Sequence, residues 1–125
     1  MQFMITFNHV EGVWDRLSPE EHEEHGKWLE RFTTELLAEK NTKLVFVAPA
    51  DQRKTVRKHE NGDLEVSDGP AIPGPEQIGG YYIIEADSVE DAVAWAKKGR
   101  WLVGSNEVRQ IFSAADGRSV FTSTR

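Results

Sequence analysis

His22 and His25 pose the chemical question in this chain. Both lie in LSPEEHEEHGKWLERFTTELLAEK, a segment of helical character, and positions 22, 25, 29, 32 and 36 fall along one helical face. The imidazoles extend the apolar stripe of Leu29, Phe32 and Leu36 to the rim of the core. A side chain titrating near pH 6.5 can act there as general acid or base. The plainer role is a rim histidine bonded to a backbone carbonyl. The pair is spaced i, i+3, one residue short of the HExxH of zinc proteases, and lacks a clear third ligand. No metal site is expected.

Asp68 is the candidate acid. It sits at a strand end where Gly69 and Pro70 turn the chain, so it can bond the backbone two residues on or pair with Arg57 or a histidine. Arg57 and Arg109 lie on strand-like runs and can each hold a carboxylate through two hydrogen bonds, although solvated strand arginines are commoner. Tyr81 and Tyr82 point to opposite faces; one can line a cleft and the other belongs to the core. Pro70, Pro73 and Pro75 fix φ in the loop after Asp68. That stiff loop is expected to wall a pocket or to form a dimer contact. His9, at the end of the first strand, is a weaker candidate, and His59 lies by a turn. Trp14, Trp28, Trp95 and Trp101 read as packing or interface residues.

Several function classes drop out. The net charge is −6 with no basic cluster, so nucleic acid is not an expected partner. There are no cysteines, which removes thiolate metal sites, disulfides and a cysteine nucleophile. No glycine-rich phosphate loop opens a helix, and no Gly-x-Ser-x-Gly is present. No apolar run approaches the roughly 20 residues that span a bilayer, and the start lacks signal-peptide character. A soluble, cytoplasmic protein without a cofactor is the expectation.

The elements that must position these residues follow from local patterns. QFMITFN alternates Phe3, Ile5 and Phe7 with polar residues and predicts a strand. Ser18, Pro19 and Glu21 start a helix over 19–39 through a capping box. KLVFVAP predicts a short strand buried on both faces. Asn61-Gly62 predicts a two-residue hairpin turn. It would set His59 opposite Leu64, Lys58 opposite Glu65, Arg57 opposite Val66 and Thr55 opposite Asp68. GGYYIIEA is a further strand. Ser88 caps a helix whose buried stripe is Val89, Ala92, Val93 and Ala96 and which Gly99 ends. NEVRQIF is the last strand. Residues 1–112 form one domain, and the tail 113–125 could add an edge strand or a dimer contact. The order β-α-β, hairpin, β-α-β predicts an α+β, ferredoxin-like sandwich: an antiparallel sheet with two helices on one face. The other face needs a cover, and a second copy of the chain is the simplest one.

Thr55-Val56-Arg57, Asp68-Gly69-Pro70, Gly79-Gly80-Tyr81-Tyr82 and Glu107-Val108-Arg109, in this order, resemble the YCII-related family and specifically its DGPF-domain branch. The resemblance covers roughly residues 1–112. It implies a ferredoxin-like fold that pairs as a dimeric α+β barrel. Some relatives are lyases or dehalogenases that use a His-Asp pair; the resemblance assigns that pair to no positions here. The chain departs from the pattern at Ala71, where the family has Phe, and at Ile72 to Pro75, which replace acidic and lysine residues. Two readings stand. One is a cofactor-free lyase, isomerase or dehalogenase acting on a small carboxylate or carbonyl metabolite, with His22, His25 and Asp68 moving the proton and Arg57, Tyr81, Tyr82, Arg109 and Pro70 holding the ligand. The other is a non-catalytic homodimer that binds a small ligand or regulates.

Overall fold

A capping box starts the long helix as its sequence requires. In the computed structural model, which describes residues 1–40 and 43–112, the Ser18 amide donates to Glu21 (3.0 Å) and the Glu21 amide to the Ser18 hydroxyl (3.1 Å). Chain order is β1 (Gln2–Val10), a 3₁₀ turn (Trp14–Arg16), α1 (Pro19–Lys40), β2 (Lys43–Phe46), a 3₁₀ turn (Ala50–Gln52), β3 (Lys54–Lys58) and β4 (Leu64–Asp68). Then follow β5 (Glu76–Glu85), α2 (Val89–Lys97), β6 (Gly104–Ser105) and β7 (Val108–Ile111). The expected strand in the tail lies outside the described residues.

The main sheet has the order β2-β5-β1-β6, with β7 also pairing β1, and every pairing is antiparallel. β6 and β7 together occupy the fourth position. Their break is clipped by Thr6, whose hydroxyl accepts the Glu107 amide (2.9 Å). This is the expected α+β, ferredoxin-like order with two helices on one face. Phe3, Ile5, Phe7, Tyr82 and Ile84 on that face bury against Trp28, Phe32 and Leu36 of α1 and against Ala92 and Trp95 of α2. The opposite face carries Met4, Val45, Tyr81, Ile83 and Ile111, all half-buried.

The Gly79-Gly80 pair has a steric reason. β1 and β5 shift register between Phe7 and Asn8, because Phe7 opposes Gly80 and Asn8 opposes Ile78. Gly79 is thus the extra residue of a bulge. A Cβ at Gly79 would stand 2.7 Å from the His9 ring, and one at Gly80 would overlap the Val45 carbonyl and the Phe7 ring. Neither glycine is needed for a left-handed backbone; both clear room.

Four local expectations change. β2 is an edge strand, so it is half-buried rather than enclosed on both faces, and Phe46 is 62% exposed. The hairpin register is offset by one residue: Lys54 opposes Asp68, Val56 opposes Val66, and Arg57 opposes Glu65. The turn has three residues, with Gly62 at φ 95°. The Gly62 amide bonds the His59 carbonyl (2.9 Å), the His59 amide bonds the Asp63 carbonyl (2.8 Å), and Asn61 accepts the Asp63 amide (2.9 Å). Lys54 and Asp68 therefore form an ion pair across the hairpin. On α2, Val89 and Val93 are exposed and Trp95 is buried instead, because the helix turns its largest side chain onto Phe32. Gly99 follows α2 without a left-handed φ; a Cβ there would overlap the Trp101 ring.

Candidate functional site

The period-2 row Phe3, Ile5, Phe7 continues to His9, and the row reaches the mouth of the core there. Across from it, His25 continues the α1 row of Trp28, Phe32 and Leu36. The two imidazoles line one cavity of about 360 Å³, walled by Phe7, Trp14, Trp28, Phe46 and Trp101. Aromatic rings interlock around it: His25 lies 5.2 Å from Trp28, Trp28 lies 5.2 Å edge-on to Trp101, and Phe7 stacks on Trp101 at 5.9 Å. Trp101 is locked by its indole N–H, which donates to the Ala96 carbonyl (2.7 Å).

Burial in this apolar surround lowers the pKa of His25, and burial together with the nearby His25 charge lowers that of His9. A charged imidazole loses water here without gaining a carboxylate. Burial thus favours the neutral form of both rings, which offers one N–H donor and one lone pair. The folded chain resists protonation that the unfolded chain accepts at its ordinary pKa of about 6.5. Between the lowered values and 6.5 the unfolded state binds more protons, so stability is complete above that window and falls as pH drops through it. The melting temperature is expected to fall as the pH drops below about 6.5, and the double variant His9→Gln, His25→Asn should flatten this slope. A slope that persists in the double variant would assign it to other groups.

His22 takes the plainer role. Its ring stacks on Trp14 at 4.2 Å, and Nε2 sits 2.6 Å from the Trp14 carbonyl. It holds the 3₁₀ turn that carries Trp14 over His25, whose ring meets Trp14 at 5.8 Å.

The other expected site residues are dispersed. Asp68 is 84% exposed at its side chain and pairs with Lys54 rather than with a histidine. Arg57 donates to the Ala71 carbonyl (2.8 Å), and Gln77 donates to the Ile72 and Gly74 carbonyls (3.1 and 3.2 Å), so both brace the proline loop. Pro70 is half-buried and lies outside the residues lining the cavity. Arg109 pairs with Glu107. Tyr81 is half-buried on the sheet face away from the helices, while Tyr82 is fully buried with its hydroxyl 2.9 Å from Thr33. Burial raises the Tyr82 pKa, and the Thr33 hydrogen bond opposes this.

One site feature escaped sequence reasoning, and another, His9, was read there as a weaker candidate. His9 was readable from the alternation that it extends. Arg53 was not: its guanidinium donates to the Ala48 carbonyl (2.9 Å), to Gln77 (3.3 Å) and to the Ile78 carbonyl. It ties the loop after β2 to the start of β5, beside an open groove of about 560 Å³ that shares His9, Trp14 and Gly79 with the aromatic cavity. Glu11, Asp15 and Asp51 line that groove.

Among the described residues no group of three or more His, Asp or Glu could hold a metal ion, and no helix is long and apolar enough to cross a membrane. No curated protein matches the chain. A family model of the YCII-related domain matches residues 1–114.

Proposed function

The chain belongs to the YCII-related family, and from that premise we propose that it is a cytoplasmic, cofactor-free protein that binds a small uncharged carbonyl compound in the aromatic cavity and moves a proton on it. One observation carries this reading: two imidazoles line the same apolar cavity, where burial favours their neutral form. His25 acts as the base that removes a proton beside the carbonyl, and His9 donates its N–H to the carbonyl oxygen as negative charge develops there. Isomerisation and elimination both begin with this step. A carboxylate substrate has less support, because among the described residues no arginine or lysine lines the cavity. Asp68, Arg57 and Arg109 play no part in this reading. A homodimer belongs to it as well: the open sheet face carries Met4, Tyr81 and Ile83 half-buried, and a second copy would complete their burial.

A thermal-shift comparison tests the ligand class. Small cyclic ketones at 100 times their Kd should add about 2.7 kcal/mol of stability, and carboxylates of the same size should add none. Stabilisation by the carboxylates alone would overturn the reading.

The non-catalytic reading is favoured by a different feature. Among the described residues no carboxylate hydrogen-bonds either ring, and such a bond is the usual way to fix the tautomer of a catalytic histidine. Deuterium wash-in beside the carbonyl of a bound ketone, run in D₂O, separates the two. Exchange above the protein-free rate marks an enzyme, and binding without exchange marks a carrier or sensor.

A further inference from the structure

The β3–β4 hairpin is a sheet of its own, paired with no other strand among the described residues. Its register puts Lys54, Val56 and Lys58 on one face with Asp68, Val66 and Leu64 directly opposite them. The other face turns towards the proline loop, where the Thr55 hydroxyl donates to the Gly69 carbonyl (2.8 Å) and Arg57 to that of Ala71 (2.8 Å). The first face is bare: Val56, Leu64 and Val66 are 65%, 68% and 70% exposed. An isolated two-stranded hairpin is marginal in water, and an aliphatic cluster at its centre calls for a cover.

The charges on this face say what the cover is. Lys54 stands on one strand and Asp68 at the same level on the other, as an ion pair. A two-fold axis parallel to the strands, lying between two such faces, places β3 of each copy over β4 of the other. Val56 then lies over Val66, and Lys54 over Asp68, in both directions at once. The four charges close an alternating ring at one end, and the Lys58 stem covers Leu64 at the other. The face is complementary to itself, which is the requirement of an isologous contact. We propose that this hairpin face is a self-association surface whose partner is the same hairpin of a second copy of the chain. The surface is separate from the open face of the main sheet, so it stands whether or not that face also pairs.

Sedimentation at micromolar concentration tests it. Val66→Glu should lower the particle mass at least twofold; the side chain is mostly exposed, so the melting temperature of the subunit should hold. Lys54→Asp and Asp68→Lys each replace the ring of alternating charges by four like ones and should do the same. An equimolar mixture of these two variants should restore the parent mass. The carboxylate introduced in one variant then meets the ammonium introduced in the other, while the ion pair within each chain stays broken. A mass that Val66→Glu leaves unchanged, or a mixture that fails to recover it, would overturn the proposal and leave the face to a different partner.

Discussion

Trp28→Ala is expected to destabilise the protein by about 3–5 kcal/mol, the range for removing a large aromatic side chain from a core. Trp28 is 7% exposed and stands at the join of the core and the cavity. Its ring contacts Phe32 at 5.3 Å, Trp101 at 5.2 Å and His25 at 5.2 Å. Truncation removes the transfer energy of the indole and also leaves a void, because Trp101 is held by the Ala96 carbonyl and cannot collapse freely into the gap. For a domain of this size the loss corresponds to a drop in melting temperature of roughly 10–20 °C. A second readout is specific to the site. The enlarged cavity admits water, so the desolvation that lowers the His25 pKa should weaken, and the ring should titrate closer to its ordinary value. Heat denaturation and an NMR titration of the histidine ring protons measure the two effects. A variant that loses less than about 1 kcal/mol would show that Trp28 packs more loosely than its burial implies.

His25→Asn should lower the rate of proton exchange on a bound ketone by about 10²- to 10⁴-fold, the usual contribution of one general base. Asparagine keeps a polar group of similar reach and removes the basic nitrogen. Binding and melting temperature should therefore change little while kcat falls. The pH profile gives an independent check. With its pKa lowered by burial, His25 favours its basic form at pH 7, and kcat/KM should decline only on the acid side of about pH 6.5. Exchange that survives in His25→Asn would move the base elsewhere, and His9→Gln is then the variant to measure. Equal losses in both variants, with binding intact, would mean that the two imidazoles act as a unit.

The features legible in the sequence were those set by neighbours in the chain. Ser18 and Glu21 cap α1 because their atoms lie one turn apart. The alternation of Phe3, Ile5 and Phe7 marks the buried face of β1, and Ser88 stops the chain where α2 begins, with its hydroxyl accepting the Asp91 amide (3.1 Å). The antiparallel sheet with both helices on one side follows from the order of these elements, since each half must cover one apolar face. His25 was placed correctly at the end of the apolar stripe for the same reason.

What the tertiary structure decided depends on atoms far apart in sequence. The partnership of His9 with His25 needs the bulge at Gly79, whose missing Cβ clears space for the His9 ring. Asp68 looked like a partner for a histidine, but the one-residue hairpin offset hands it to Lys54. That offset comes with a turn of three residues instead of two, closed by backbone bonds between His59 and Gly62 and between His59 and Asp63, a choice that the Asn-Gly pair alone does not encode. Trp95 displaced Val89 and Val93 from the buried side of α2 because Phe32, on another helix, offered its ring. Caps and periodicity are local energies that a chain carries wherever it goes. The shared cavity exists only because β1, α1 and the segment after α2 bury their aromatic rings in the same place.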